Sequence, residues 1–323
     1  MRGLAIAGAL VFSAATWGQS VISAHSGVIH YIEGQVTVDG APIHPKSTEF
    51  LDVKPDQVLA TEDGRAEILL TPGVFLRLPE NSSARMISNS LANTRLEIVS
   101  GSALFEVGQL LRNNAITIEA HSVEIALPKQ GLYRIDTDPG RLRVYDGEAR
   151  VTAGAGKIDV KRGREVALDA LTLEARDFDA KSTDPFYRWG ARRSEYIAAA
   201  NVISAKTASD SGYGSGFASG GYGSWAFNPW VGMFTFLPAN GIYFSPFGSA
   251  FYSPAAINYV YFPRGISAPG GIVTAPRTPM TSAGLGDGGF HPGGGSGIHN
   301  GTHVGLAGGG GRSSGGVGGA HGR

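Results

Sequence analysis

The sequence contains no cysteine, which excludes a disulfide framework, thiolate metal ligands and a cysteine nucleophile. An excess of charge of one sign is also absent, since 27 Lys and Arg balance 27 Asp and Glu. A balanced charge gives no field that would recruit nucleic acid or an anionic membrane surface. Glycine, by contrast, is abundant, and its 48 residues crowd into the C-terminal half. This bias indicates that one hydrophobic core does not fill the whole chain.

The N-terminal segment has the features of an export signal. Arg2 precedes an apolar run, Leu4–Trp17, and small and polar residues follow it. The run is shorter than the roughly 20 residues that span a bilayer, and its length is typical of a secretory signal. We therefore predict a signal peptide over residues 1–24 and a location in the periplasm, cell envelope or exterior of a bacterium. An uncleaved membrane anchor and a buried N-terminal helix are the alternatives.

From Gly27 to Arg176 apolar and polar residues alternate in short runs such as "VEIAL" and "LRVYDGEARV". A period of two is typical of strands with one packed and one solvated face. Dipeptides that favour tight hairpins punctuate the runs at Asp39-Gly40, Asp63-Gly64 and Asp146-Gly147. The pattern predicts an all-β domain over residues 25–180.

A helical period occurs once, in residues 181–207. Apolar residues recur there at spacings near three and four, at Phe186, Trp189, Ile197 and Ala200. Asp184 is a candidate N-cap and Pro185 suits the first helical position. We predict one helix of about 15 to 18 residues that packs on the β-domain.

Residues 208–264 are rich in aromatic residues, and the tail, 265–323, is rich in glycine. The candidate binding rings are Trp225, Trp230, Tyr243, Phe244, Phe247, Phe251 and Tyr252. They either fold back over the β-domain or form a surface for a protein or glycan partner, and disorder is the third alternative. No Lys or Arg occurs from Gly212 to Phe262, which argues against nucleic-acid stacking. The tail has too few large apolar residues to form a core, so we expect it to be disordered.

Several strand segments resemble the FecR-like domain of bacterial envelopes. They are "GVIHYIEGQVTVDG", "LATEDGRAEILLTPGVFLRLPENSSARM", "LEIVSGSALFEV" and "GLYRIDTDPGRLRVYDGEARV", with "VKRGREVAL" closing the set. The resemblance implies a compact β-roll or solenoid-like stack of short strands. In the regulators that name the family, this module lies in the periplasm and relays a receptor's state to a cytoplasmic anti-sigma segment. We expect no cytoplasmic domain before the apolar run, so the resemblance is taken to extend to the module alone.

Within the segment "EILLTPGVFLRLPENSSARM", Pro72-Gly73 predicts a turn between two strands. Val74 and Leu76 would then point to one face, and Phe75 and Arg77 to the other. Arg77 and Asn81 have either a structural role or a role in a polar binding lip.

Sequence motifs for catalysis are weak. The carboxylates Glu97, Glu106, Asp136, Asp146 and Glu148 alternate with apolar residues, so the period places them on a solvated face. The eight histidines have no metal-ligand spacing, and "GLGDGG" lacks the strand and helix that a nucleotide loop needs. We therefore predict no catalytic residue, cofactor or metal.

The expected function is a non-catalytic exported β-module that binds a protein or glycan. The alternatives are a periplasmic component of a FecR-type signalling system and an envelope polysaccharide hydrolase.

Overall fold

The computed structural model describes residues 25–44, 50–110, 114–211 and 223–258. The predicted signal peptide and glycine-rich tail lie outside these ranges. The elements are β1 (Val28–Val38), β2 (Ala41–Pro42), β3 (Val58–Leu69), β4 (Val74–Leu78), β5 (Ser82–Ser90), β6 (Asn93–Ser100), β7 (Ser102–Val107), β8 (Ala115–Ala120), β9 (Val123–Ala126), β10 (Gly131–Thr137), β11 (Gly140–Asp146), β12 (Glu148–Ala153), β13 (Gly156–Lys161), β14 (Arg164–Ala167), β15 (Ala175–Asp177), α1 (Pro185–Asp210), β16 (Ser224–Asn228), β17 (Met233–Leu237), β18 (Ile242–Phe244) and β19 (Ala250–Tyr252).

The all-β prediction is confirmed. Strands β1–β15 form one sheet that curls into an almost closed barrel, and α1 follows it. Along the sheet the order is β13-β12-β9-β8-β6-β5-β3-β4-β7-β10-β11-β14-β15, with β1 and β2 attached beside β3. Neighbouring strands are antiparallel except β6 and β8, which run parallel. Strands β16–β19 form two separate hairpins.

Of the three hairpins predicted at Asp-Gly pairs, the structure contains the one at Asp39-Gly40. Asp146-Gly147 joins β11 to β12, which lie apart in the sheet and do not pair. Asp39-Gly40 links β1 to β2, and both residues have positive φ. The turn that contains Pro72-Gly73 links β3 to β4. The hairpin predicted at Asp63-Gly64 is wrong, because this pair lies inside β3 opposite a register shift in β1. A Cβ on Gly64 would lie 2.5 Å from the carbonyl oxygen of Gln35. Glycine is needed there for the close approach of two backbones, not for a turn.

The interior of the curled sheet is apolar. Alternate residues of almost every strand point inward and are buried, among them Leu59, Ile68, Leu76, Phe105, Ile118, Ile135, Val144 and Val151. Val74, Leu76 and Leu78 belong to this interior, whereas Phe75 packs on the outside, as the alternation predicts. The period of two thus identified the inner face correctly.

The outer face of β3, β4, β7 and β10 is covered, which corrects the expectation that it is solvated. All five residues of β4 are buried. Outward-facing apolar residues of these strands pack beneath α1 and the two hairpins, namely Leu69, Phe75, Leu104 and Leu132. The sheet is therefore the middle layer between an inner core and an outer cover.

Helix α1 begins where the sequence predicted. The Asp184 carboxylate accepts a hydrogen bond of 2.8 Å from the Tyr187 N–H, and Pro185 occupies the first turn. The helix is 26 residues long and continues past Ala205, so the predicted length is too short. At Gly190 an added Cβ would lie 2.7 Å from the Leu104 side chain, so this glycine lets the helix approach the sheet closely.

The helix and the hairpins complete each other's hydrogen bonding. Asn201 accepts from the Tyr252 N–H at 2.7 Å and donates to the Phe236 carbonyl at 2.8 Å. The Thr235 hydroxyl donates to the Ile197 carbonyl at 2.7 Å. Buried polar groups must find partners, and here the partners lie on separate elements. These bonds therefore fix the position of the two hairpins on the helix.

We predict that the fragment 25–180 keeps a β-type far-ultraviolet circular dichroism spectrum but exposes its outer apolar face. Compared with the fragment 25–258, it should bind several-fold more of the dye 8-anilinonaphthalene-1-sulfonate, because Leu69, Phe75 and Leu104 lose their cover. Equal dye binding by the two fragments would contradict the layered arrangement.

Candidate functional site

Five ionisable side chains meet between the sheet and its cover. We call His30, Glu67, Arg77, Glu106 and Arg193 the buried ion cluster. They come from β1, β3, β4, β7 and α1, and the two glutamate side chains and the Arg77 side chain have no exposed surface. Burying ionic groups costs free energy unless they are paired, so each charge in the cluster requires a partner.

Arg77 is the centre of the cluster. Its Nε donates to Glu67 Oε2 at 2.7 Å, and its Nη1 donates to Glu106 Oε2 at 2.7 Å. The guanidinium also lies 5.3 Å from the Phe75 ring centroid and 5.8 Å from that of Phe247. The cation is thus held between two carboxylates and two rings.

Glu67 connects the cluster to the helix and to β1. Its Oε1 accepts from Arg193 Nη2 at 2.8 Å and from His30 Nδ1 at 2.9 Å. The Arg193 guanidinium also stacks 3.9 Å from the Tyr31 ring centroid. Burial raises the pKa of Glu67, but the charges of Arg77 and Arg193 and the His30 hydrogen bond outweigh it. They hold that pKa well below its usual range.

Glu106 connects the cluster to the second hairpin. Its Oε1 accepts from the Ser194 hydroxyl at 2.9 Å and from the Ser245 hydroxyl. Ser194 lies on α1, and Ser245 follows β18. The carboxylate is therefore satisfied by an arginine of the sheet and two hydroxyls of the cover.

A second, smaller network lies at the start of the helix. Asp136 accepts from Arg134 Nε at 2.8 Å and from the Ser102 hydroxyl at 2.6 Å. Arg134 also pairs with Asp184, the N-cap of α1. The predicted solvated position is therefore wrong for Glu106 and Asp136, because the outward side of β7 and β10 faces the helix instead of water. Glu97, Asp146 and Glu148 are partly exposed.

Four of the predicted binding residues are buried, which corrects their assignment to a surface: Arg77, Trp225, Tyr243 and Phe251. Arg77 is fully enclosed by the cluster. The Trp225 indole N–H donates to the Leu70 carbonyl at 3.0 Å, and its ring meets Phe75. These rings cover the β-domain, as one of the three sequence interpretations proposed.

The other predicted residues reach solvent to different degrees. Trp230 is 83% exposed in the turn between β16 and β17, and Phe244 is 60% exposed on β18. Phe247 and Tyr252 are partly buried. Asn81 is exposed in a turn at positive φ, away from the enclosed Arg77, so the two do not form a lip. Among the described residues of the aromatic segment, Trp230 and Phe244 are the two most exposed rings, and we call them the ring tips.

One surface depression is lined by Glu97, Ile98, Val99, His121, Ser122 and Thr137. His121 Nε2 donates to the Thr137 carbonyl at 2.6 Å, which fixes the ring at the edge of the depression. Among the described residues, no three His, Asp or Glu side chains converge on a common metal position. Within the same ranges, no helix combines the length and the apolar character that a membrane crossing requires.

The sequence patterns did not single out Glu67, Arg193 or Ser194, and they placed Glu106 on a solvated face, although two signals indicated buried charges here. The apolar stripe of α1 has a gap between Trp189 and Ile197, and Arg193 and Ser194 occupy the buried positions of that gap. In addition, "VFLRL" is a continuous apolar run with one charge, which is typical of a strand buried on both faces. A charge in such a run requires a buried counter-charge.

We predict that Arg77→Met lowers the free energy of unfolding by about 3–5 kcal/mol, since it leaves two buried carboxylates without their shared cation. The matched control is Arg85→Met, which breaks the partly exposed pair with Glu97 and should cost less than about 1 kcal/mol. Urea unfolding at neutral pH measures both. Similar losses in the two variants would show that the cluster contributes no more than a surface pair.

The comparisons with known proteins give little coverage. No family model matches the chain, and no curated protein matches it. Two crystal structures of a protein described as a "putative anti-sigma factor" from Parabacteroides distasonis ATCC 8503, at 1.65 and 2.50 Å resolution, are similar to part of it. Each has a TM-score of 0.33, with 12% and 13% identity respectively, and the match covers 38% of this chain and 59% of the other. The match therefore spans less than two thirds of those neighbours.

Proposed function

We propose that this protein is an exported, non-catalytic FecR-like β-module that binds a protein or glycan partner in the bacterial cell envelope. The observation that carries the proposal is the pair of ring tips. Trp230 and Phe244 are largely exposed, although most rings around them are buried. Exposed large aromatic side chains are frequent anchors of binding surfaces.

The ring tips stand on a fixed base. At the end of β16, the Asn228 side chain donates to the Ser204 hydroxyl at 3.1 Å, and its carbonyl accepts from the Trp230 N–H at 3.0 Å. On the second hairpin, Tyr243 is buried between the exposed Ile242 and Phe244. A preorganised ring loses little conformational entropy on binding, so such a base favours affinity.

The chemistry of the segment favours an uncharged contact. No Asp, Glu, Lys, Arg or His occurs from Gly212 to Phe262. Contact with this surface would therefore depend on ring stacking and apolar burial, which suit the faces of sugar rings or apolar side chains. A partner recognised by ion pairs would require charges that the segment lacks.

The arrangement of carboxylates supports a non-catalytic role. Glycoside hydrolysis uses two carboxyl groups about 5–10 Å apart that both face the substrate. Glu67 and Glu106 share Arg77 but are fully enclosed. Glu119 and Glu124 lie opposite each other across β8 and β9, with Arg95 beside both. Neither pair lines the surface depression.

The location in the envelope rests on the sequence. The apolar run Leu4–Trp17 after Arg2 supports export, and the FecR-like strand segments support a periplasmic or envelope module. Both belong to the proposal together with the binding role.

We predict that the double variant Trp230→Ala/Phe244→Ala reduces partner recovery about tenfold or more, because both exposed anchors are removed. The measurement is quantitative crosslinking in intact envelopes of the producing cell, together with co-sedimentation on its purified insoluble polysaccharide. The unfolding free energy should change by less than about 1 kcal/mol, since both side chains are mostly exposed.

The matched control for this experiment is Tyr196→Ala. Tyr196 is also 60% exposed, but it lies on α1 outside the aromatic segment. Equal loss in the control, or full binding by the double variant, would refute the assignment of recognition to the ring tips. Truncation after residue 207 is a poorer test, because it also uncovers the outer face of the sheet.

A second candidate is the periplasmic part of a FecR-type signalling system whose cytoplasmic segment is a separate protein. The order of the FecR-like segments favours it, and it requires the N-terminal run to remain as an anchor. We expect mass spectrometry of the mature protein to give an N-terminus between Gln19 and His25, as cleavage predicts. Retention of residues 1–18 would instead favour the signalling role.

A further inference from the structure

His30 connects the buried ion cluster to the backbone of the first hairpin. Its Nδ1 lies 2.9 Å from Glu67 Oε1, and its Nε2 lies 3.0 Å from the Phe234 amide nitrogen. Its side chain is only 1% exposed. One imidazole thus holds together β1, β3 and β17, which are far apart in the sequence.

The partners fix the proton on the ring. The Phe234 N–H can only donate, so Nε2 must accept and carries no proton. The Glu67 carboxylate can only accept, so Nδ1 carries the proton and donates. A second proton on Nε2 would place two N–H donors face to face at a buried position, and the hydrogen bond to the hairpin would be lost.

The charges around His30 are already balanced. Glu67 on β3 and Glu106 on β7 carry two negative charges, and Arg77 on β4 and Arg193 on α1 carry two positive charges. Three further groups pack here among the described residues, and each is uncharged near neutral pH: Tyr31 on β1, the Phe234 backbone and ring on β17, and the Phe50 ring beside it. A proton on His30 would therefore give the enclosed group a net positive charge, which burial disfavours.

Glu67 and Arg77 keep their charge in mildly acidic solution. The pKa of Glu67 is held well below its usual range, because Arg77 and Arg193 outweigh the effect of burial. Opposing carboxylates raise the pKa of Arg77. Imidazole, by contrast, ordinarily titrates near pH 6.5.

We propose that His30 is a pH-sensitive switch that couples its protonation to undocking of the β16–β17 hairpin from β1. The undocked state tolerates the protonated ring in water, whereas the docked state does not. Docking is therefore favoured while the ring is neutral and weakens as the solution becomes acidic, since only the undocked state accepts the second proton readily. Undocking would expose the aromatic faces of Phe50, Phe227 and Phe234, which now pack against one another at 4.9–5.3 Å.

The experiment is hydrogen–deuterium exchange of the full mature protein at pH 7.5 and pH 5.0, corrected for the intrinsic change in exchange rate. Peptides that cover Met233–Leu237 should exchange about tenfold faster at pH 5.0, because a buried hydrogen bond is lost. Peptides that cover β10 should not change. No acceleration in the hairpin would overturn the proposal.

The decisive variant is His30→Gln, whose amide oxygen can still accept from the Phe234 N–H but cannot gain a proton. It should abolish the pH response of the hairpin, and a full response in this variant would overturn the proposal. His121→Gln is the matched control, since His121 is an exposed histidine that contacts the sheet alone, and it should keep the wild-type response.

A second measurement covers the case in which His30→Gln does not fold. Wild-type protein labelled with ¹⁵N-histidine should contain, at pH 7.5, an imidazole protonated at Nδ1 and not at Nε2. Its protonation should coincide with the loss of protection in the hairpin. If no histidine shows this tautomer, or if it titrates without any change in the hairpin, the proposal is wrong.

Discussion

The guanidinium of Arg77 imposes a constraint on the whole molecule. It lies on the outer face of the sheet, where Phe75 and Leu104 also require cover, so water cannot solvate it. Glu67 and Glu106 neutralise it, but two carboxylates for one cation leave an excess negative charge, which Arg193 of the helix balances. Ser194 and Ser245 then satisfy the remaining oxygen of Glu106. The pairing thus connects strands β3, β4 and β7 to α1 and to the second hairpin. A buried ionic network of this kind adds little net stability, and its main effect is to favour one arrangement of sheet, helix and hairpins over alternatives.

This constraint separates enclosed, paired charges from aromatic side chains that reach solvent. Charges within the cluster are enclosed and paired, so they are unsuited to acid–base chemistry on a substrate. The uncharged hairpins are different, because burying one side of each leaves Trp230 and Phe244 in water on the other. The hydrogen bonds that hold the two hairpins come from α1, the helix whose Arg193 balances the charge of the cluster. The proposed binding surface and the buried cluster are therefore two sides of one cover, and the His30 contact with the Phe234 amide links them directly.

Local patterns in the sequence were sufficient for the inner half of the structure and insufficient for the outer half. The period of two placed Val74 and Leu76 on one face and Phe75 and Arg77 on the other, and Asp184 and Pro185 marked the start of the helix correctly. Alternation alone does not tell whether an outward position meets water or another element. Glu106 was assigned to water for this reason. Its partners Ser194 and Ser245 lie 88 and 139 residues away, a distance over which no local pattern carries information. Gly64 was misread for a similar reason, because a glycine needed for a close backbone contact cannot be told from a turn glycine by sequence alone.

The long sequence separations within the cluster have a consequence for the order of assembly. Glu67 and Arg193 are 126 residues apart, and His30 and Phe234 are 204 apart. Because the chain is synthesised from its N-terminus, strands β1–β15 are made before Arg193, which balances their carboxylates. They are also made before Phe234, whose amide contacts His30. Contacts between such distant segments form slowly, because closing the intervening loop costs entropy. During that interval the apolar side chains of the outer face, Leu69, Phe75 and Leu104, lack their cover. The buried ion cluster is thus completed late, although most of its members lie on a sheet whose strands are all synthesised early.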